Sequence, residues 1–80
     1  MHELKMIRSV MDDLIKIGEE KQAKKITKVY FRMGEFSEIN PEILSFYLKE
    51  NSKGTILEGC EVDIEPSENR ELRVLSFDYE

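Results

Sequence analysis

The chain has 80 residues, 40% hydrophobic and 36% charged, enough for one small core and too little for two domains. Its net charge is −5, from 12 Lys and Arg against 17 Asp and Glu, which argues against nucleic acid as the main partner, and the local basic cluster Lys21, Lys24, Lys25 and Lys28 reads as a helix end and a solvated strand start. No apolar run approaches membrane-spanning length, the start Met1-His2-Glu3-Leu4-Lys5 lacks the apolar stretch of a secretory signal, and the single cysteine excludes an internal disulfide. The expected setting is the cytoplasm.

In chain order, Leu4, Ile7, Val10, Met11, Leu14, Ile15 and Ile17 recur at three- and four-residue steps and predict an amphipathic helix over about residues 3 to 22. Ile26 to Met33 predicts a strand, with Thr27, Val29, Phe31 and Met33 on a buried face and Lys28, Tyr30 and Arg32 on an amphipathic one. Gly34 ends it, and Glu35 to Ile39 is a loop. Asn40-Pro41-Glu42 reads as a helix start, with Asn as cap, Pro in the first position and an acid in the first turn. Ile43, Leu44, Phe46, Tyr47 and Leu48 fill this helix, which should stop before Gly54.

Cys60, Val62 and Ile64 alternate with Glu61, Asp63 and Glu65, a second strand with one wet face that Pro66 ends. Ser67 to Arg70 is a turn. Leu72 to Tyr79 is a third strand, with Leu72 and Val74 on one face and Leu75, Phe77 and Tyr79 on the other, the pattern of a central strand or a subunit contact. The last two strands are close enough in sequence for a hairpin. The expected fold class is α+β in the order helix, strand, helix, strand, strand, as a single domain over residues 1–80. Charge is unevenly divided. Residues 1–40 hold eight bases and seven acids, whereas residues 41–80 hold four and ten, and these sum to the 12 and 17 of the whole.

Catalytic constellations are lacking. His2 is the only side chain that titrates near neutrality without perturbation, and Cys60 falls in the apolar register of a strand with no base beside it, so no enzyme is expected. The chemistry concentrates at the start. In Met1-His2-Glu3 a free amine, the amide nitrogen of His2 and its imidazole can chelate one metal in fused rings, and square-planar nitrogen and oxygen sites suit Ni(II) or Cu(II). Taken alone, a histidine near a terminus is more often an incidental exposed residue.

The chain as a whole resembles the HypA family of hydrogenase maturation factors, the nickel metallochaperones. The resemblance is carried by Met1-His2-Glu3-Leu4, Met33-Gly34-Glu35-Phe36-Ser37, Pro41-Glu42, the run Lys53 to Cys60 and the closing run Glu71 to Asp78. It implies a mixed three-stranded sheet packed by two helices. It implies a Ni(II) site at Met1, His2 and Glu3, with His2 the essential side chain and the loop from Glu35 to Asn40 nearby. The partners it implies are the GTPase HypB and the hydrogenase large subunit, with urease as a further target; nucleic acid and membrane are not among them.

Two departures from the family pattern matter. The paired-cysteine zinc domain that the family inserts before its final strand is missing, with a short turn at about residues 66–70 in its place, so no structural zinc is expected. That short linkage leaves strand exchange or a homo-oligomer open. Asn40 stands where some members have an Asp that joins the nickel shell; it is a weaker oxygen donor and its capping position offers it another task. The Glu3 carboxylate has three candidate uses: complementing the helix N-terminus, orienting the His2 ring, or touching a partner. The functional reading is a non-catalytic nickel carrier. The rival is an interaction module that docks on the same partners without carrying metal.

Overall fold

The computed structural model describes residues 2–80, with side chains from Glu3 onward. Its elements are α1 (His2–Glu20), β1 (Ile26–Met33), α2 (Pro41–Asn51), β2 (Glu61–Pro66) and β3 (Leu72–Tyr79), in the order the sequence predicts. None of the described helices is long and apolar enough to cross a membrane.

Helix α1 stops two residues short of the expected end, for a backbone reason. Gln22 takes a left-handed φ of 58°. The N–H of Ala23 then donates to Gly18 O at 2.9 Å and that of Gln22 to Glu19 O at 3.0 Å, the paired closing bonds of a Schellman stop. Gly18 lies inside because α1 meets the chain after α2 there. A Cβ on it would fall 2.5 Å from Ile56 Cδ1.

Helix α2 begins as its Asn-Pro-Glu start dictates. Asn40 is extended (φ −149°), and its Oδ1 accepts the N–H of Ile43 at 2.8 Å. Of the five apolar residues expected to fill α2, Leu44 and Leu48 are buried, Ile43 and Tyr47 are half-buried, and Phe46 is 65% exposed. A helix on one side of a sheet can bury only one stripe, and Phe46 points away from it.

The sheet order is β2-β1-β3, with β2 parallel and β3 antiparallel to β1. The β1-α2-β2 unit is therefore a crossover connection. The expected hairpin between the last two strands does not form. Strands β2 and β3 lie on opposite sides of β1, and residues 67–71 strap across its end. This strap is tied to β1 by Ser67 N–H to Met33 O at 3.0 Å and by Gly34 N–H to Glu71 O at 2.8 Å.

The core lies on one face of the sheet, where Ile7, Met11 and Leu14 of α1 and Leu44 and Leu48 of α2 cover Ile26, Val29, Phe31 and Met33 of β1. Val62 and Ile64, expected in the core, are half-buried because β2 is an edge strand. Strand β3 is also an edge, not central. A register shift between the pairs Tyr30↔Ser76 and Phe31↔Val74 leaves Leu75 as an extra residue in β3. The bulge reverses the alternation, so Phe77 joins Leu72 and Val74 on the core face while Leu75 stays exposed. A second shift between Ile26 and Lys28 explains why Ile26 and Val29, three residues apart, both point inward. The opposite sheet face is wet, with Arg32 Nε to Glu65 at 2.7 Å and the Tyr30 hydroxyl donating to Asp78 at 3.1 Å.

Among the glycines, Gly34 leaves the least room for a side chain. A Cβ there would lie 1.7 Å from the carbonyl oxygen of Asn69, so the strap passes where only a glycine leaves room. Gly34→Ala should cost roughly 1–3 kcal/mol through displacement of the strap. Leu44→Ala should cost roughly 2–5 kcal/mol from a fully enclosed position. Phe46→Ala should stay within about 0.5 kcal/mol. Urea unfolding of the three variants checks the order; a Phe46→Ala loss as large as that of Leu44→Ala would contradict this packing.

Candidate metal centre

The sequence points to Met1, His2 and Glu3, with Asn40 as a weaker addition. Met1 lies outside the described residues, and so does the side chain of His2; the backbone of His2 is the first residue of α1. Glu3 is in the first helical turn, where its charge complements the positive end of the helix dipole as expected. The first four N–H groups of any α-helix have no acceptor within the helix. The amide nitrogens of His2 and Glu3 stand at such positions, so a metal can engage them without breaking a helical hydrogen bond.

The Glu3 carboxylate has a further use that the sequence does not reveal. Glu3 is only 7% exposed and reaches across to the β1–α2 loop and to the strap. Its Oε2 accepts from Ser37 N–H (3.3 Å), Ser37 Oγ (3.0 Å) and Arg70 Nη2 (2.8 Å), and its Oε1 accepts from Glu38 N–H. Burial by itself would push this carboxyl up. The N–H of Glu38, the hydroxyl of Ser37, the Arg70 guanidinium and the N–H of Ser37 outweigh it and hold the group down at about 2, from an ordinary 4.5. Glu3 is thus an ionised internal anchor whose acceptor positions are taken up by protein donors.

The anchor brings the 35–40 loop against the start of α1, as the resemblance implies. Asn40 lies two residues beyond Glu38, with its side-chain oxygen engaged as the α2 cap. Glu35 and Glu38 are exposed. Among the described residues no group of three or more His, Cys, Asp or Glu side chains is arranged to hold a metal ion. Cys60 is far along the fold, half-buried at the start of β2, and burial pushes its thiol up, which makes it a poor nucleophile and a poor ligand.

Arg70, Ser37 and Glu38 were missed because their link to Glu3 spans 67, 34 and 35 positions in the chain. Local patterning carries no signal for contacts at that separation. The only hint was an unpaired acid next to a candidate ligand.

The chain matches the family model described as "Hydrogenase/urease nickel incorporation, metallochaperone, hypA" over residues 1–72. It is similar to the hydrogenase maturation factor HypA of Archaeoglobus fulgidus, 44% identical over 64 residues that make up 80% of this chain and 58% of that protein. The corresponding protein of Methanopyrus kandleri is 37% identical over 65 residues, 81% of this chain and 46% of that one. The chain thus spans about half the length of the curated relatives it matches. In fold it is similar to the solution structure of the Ni metallochaperone HypA from Helicobacter pylori, with a TM-score of 0.75, 15% identity and 94% of each chain covered.

The depressed Glu3 carboxyl sets a pH window for stability. With an ordinary value of 4.5 when unfolded and about 2 when folded, its contribution is fully present above 4.5 and is lost as pH falls from there toward 2. Glu3→Gln should lower the urea midpoint at pH 7, and its gap from wild type should close between pH 4.5 and 2. A gap that stays constant through that window would show that the charge of Glu3 contributes nothing.

Proposed function

This chain belongs to the HypA family of hydrogenase and urease nickel metallochaperones, and from that membership we propose that it binds Ni(II) at its N-terminal end and hands the ion on. His2 supplies the imidazole donor, and Met1, His2 and Glu3 supply backbone nitrogens. Asn40 is at most an auxiliary oxygen donor. The observation that carries this reading is the placement of His2 and Glu3 in the first turn of α1, where amide nitrogens are spare, beside a carboxylate committed to holding the turn in position.

The electrostatics favour this donor set. The N-terminal end of a helix carries partial positive charge and repels a bare cation. Imidazole with deprotonated amide nitrogens overcomes that repulsion, and such a strong nitrogen field suits Ni(II) in planar coordination. A site made of one side chain and a chain start has few bonds to break, which suits a carrier that must release its cargo. No reaction is catalysed. Ni(II) is cargo, the GTPase HypB and the hydrogenase large subunit are the partners that the family resemblance implies, with urease a further target, and the work is cytoplasmic. Residues 1–80 act as one unit that folds without zinc, since the turn at 66–70 contains no cysteine.

Calorimetric nickel titration should give about one ion per chain for wild type and a large loss of affinity for His2→Ala. Affinity should fall from pH 8 to pH 6, with more than one proton released per ion near neutrality, because protons compete for imidazole and amine nitrogens. Binding that His2→Ala leaves unchanged, or that is flat with pH, would move the site to carboxylates such as Glu35 and Glu38. In a separate check, a strong chelator should leave the cooperative thermal transition of the metal-free protein unchanged; its loss would reveal a structural metal.

A further inference from the structure

We infer that Arg70 is a positioning residue for nickel: from the far end of the chain, and without touching the ion, it fixes the turn that presents His2. The inference rests on the nickel site proposed above. Arg70 donates from Nη2 to Glu3 Oε2 at 2.8 Å, and its guanidinium lies 5.5 Å from the centre of the Phe36 ring. One side chain thereby clasps both the first turn of α1 and the loop that leads to Asn40.

The base from which it reaches is rigid. The strap is fastened to β1 through Ser67 and Glu71, and Asn69 is wedged against Gly34. Within the strap, Ser67 Oγ donates to Glu71 Oε2 at 2.5 Å and accepts from Asn69 N–H at 3.1 Å. Glu3, the residue it grips, is the immediate neighbour of His2. The arrangement matches that of groups that orient metal ligands from outside the coordination shell, whose removal costs about 10–100-fold in metal affinity.

The sign of the effect separates positioning from plain charge. Deleting Arg70 removes a positive charge from near the site and leaves the Glu3 carboxylate less compensated, and both changes attract a cation. Coulomb's law alone therefore predicts tighter nickel binding in Arg70→Ala. Positioning predicts weaker binding, because Glu3 loses one of its grips and the turn loosens.

The test is nickel affinity and the ligand-field absorption of bound Ni(II) in wild type, Arg70→Ala, Arg70→Lys, Glu3→Gln and the double variant, with Arg8→Ala as control. The Arg70 side chain is 66% exposed, so its truncation should leave the fold intact, which circular dichroism and the urea midpoint verify. Arg8 is exposed, and its ion pair among the described residues is with Asp12 one helical turn on.

Arg70→Ala should lose about tenfold or more in affinity and alter the absorption bands. Arg70→Lys should recover part of the loss, and the double variant should lose no more than the worse single one. Arg8→Ala should match wild type. An unchanged or raised affinity in folded Arg70→Ala overturns the inference while leaving the nickel site standing, as do additive losses in the double variant or an equal loss in Arg8→Ala. Wild-type protein without His2-dependent binding overturns the nickel site, and this inference with it.

Discussion

The Glu3 carboxylate holds together the three segments that would otherwise be loosest: the first turn of α1, the β1–α2 loop and the strap between β2 and β3. Its four hydrogen bonds come from the loop residues Ser37 and Glu38 and from Arg70 of the strap, whose donor is a guanidinium. A nearly buried carboxylate without such donors would be costly, because burial disfavours its charged form. With them it stays charged and ties a helix end to the β1–α2 loop and the strap. Ser37 and Glu38 are exposed, so the loop is held by this anchor, by Ile39, which is buried, and by Phe36, which packs half-buried against the core.

The anchor works because the sheet provides a fixed frame. β1 is the only strand with two neighbours, and it contributes four of the enclosed core residues, Ile26, Val29, Phe31 and Met33. Its C-terminal end is where the strap crosses, pinned at Met33 and Gly34. Two bulges on the β1–β3 pair set which side chains reach the helices, and so let an eight-residue edge strand pack Val74 and Phe77, half-buried, against the core. An 80-residue domain has a thin stability margin, and here the same few residues serve both the packing and the geometry of the N-terminal end.

For a nickel carrier, this construction separates two demands. Binding needs donors held at a defined angle, and release needs few bonds to the ion. On the proposed nickel site, a carboxylate clasp behind a short nitrogen donor set serves both demands, because Glu3 and its partners hold the turn while few donors hold the ion. The strap that supplies Arg70 occupies the stretch where the family resemblance implies a zinc domain. In this chain the strap is short, free of cysteine and directly bonded to the end of the molecule where nickel is proposed to bind.

The sequence by itself determined the element order, both ends of β1, the start of α2 with its Asn40 cap, and the family through the order and spacing of short motifs from Met1 to Asp78. These are properties of neighbouring residues: alternation, helical spacing, capping chemistry and glycine at a stop. Tertiary structure decided the rest. Strand order is set by which edges pair, so the adjacency of β2 and β3 in sequence did not make them neighbours in the sheet. A bulge moves every later side chain to the other face, which no alternation rule detects at Leu75. The use of the Glu3 carboxylate was hidden for the same reason: its partners at Ser37, Glu38 and Arg70 are distant along the chain, and only the folded sheet, by bringing the strap across the end of β1, puts them within hydrogen-bonding reach.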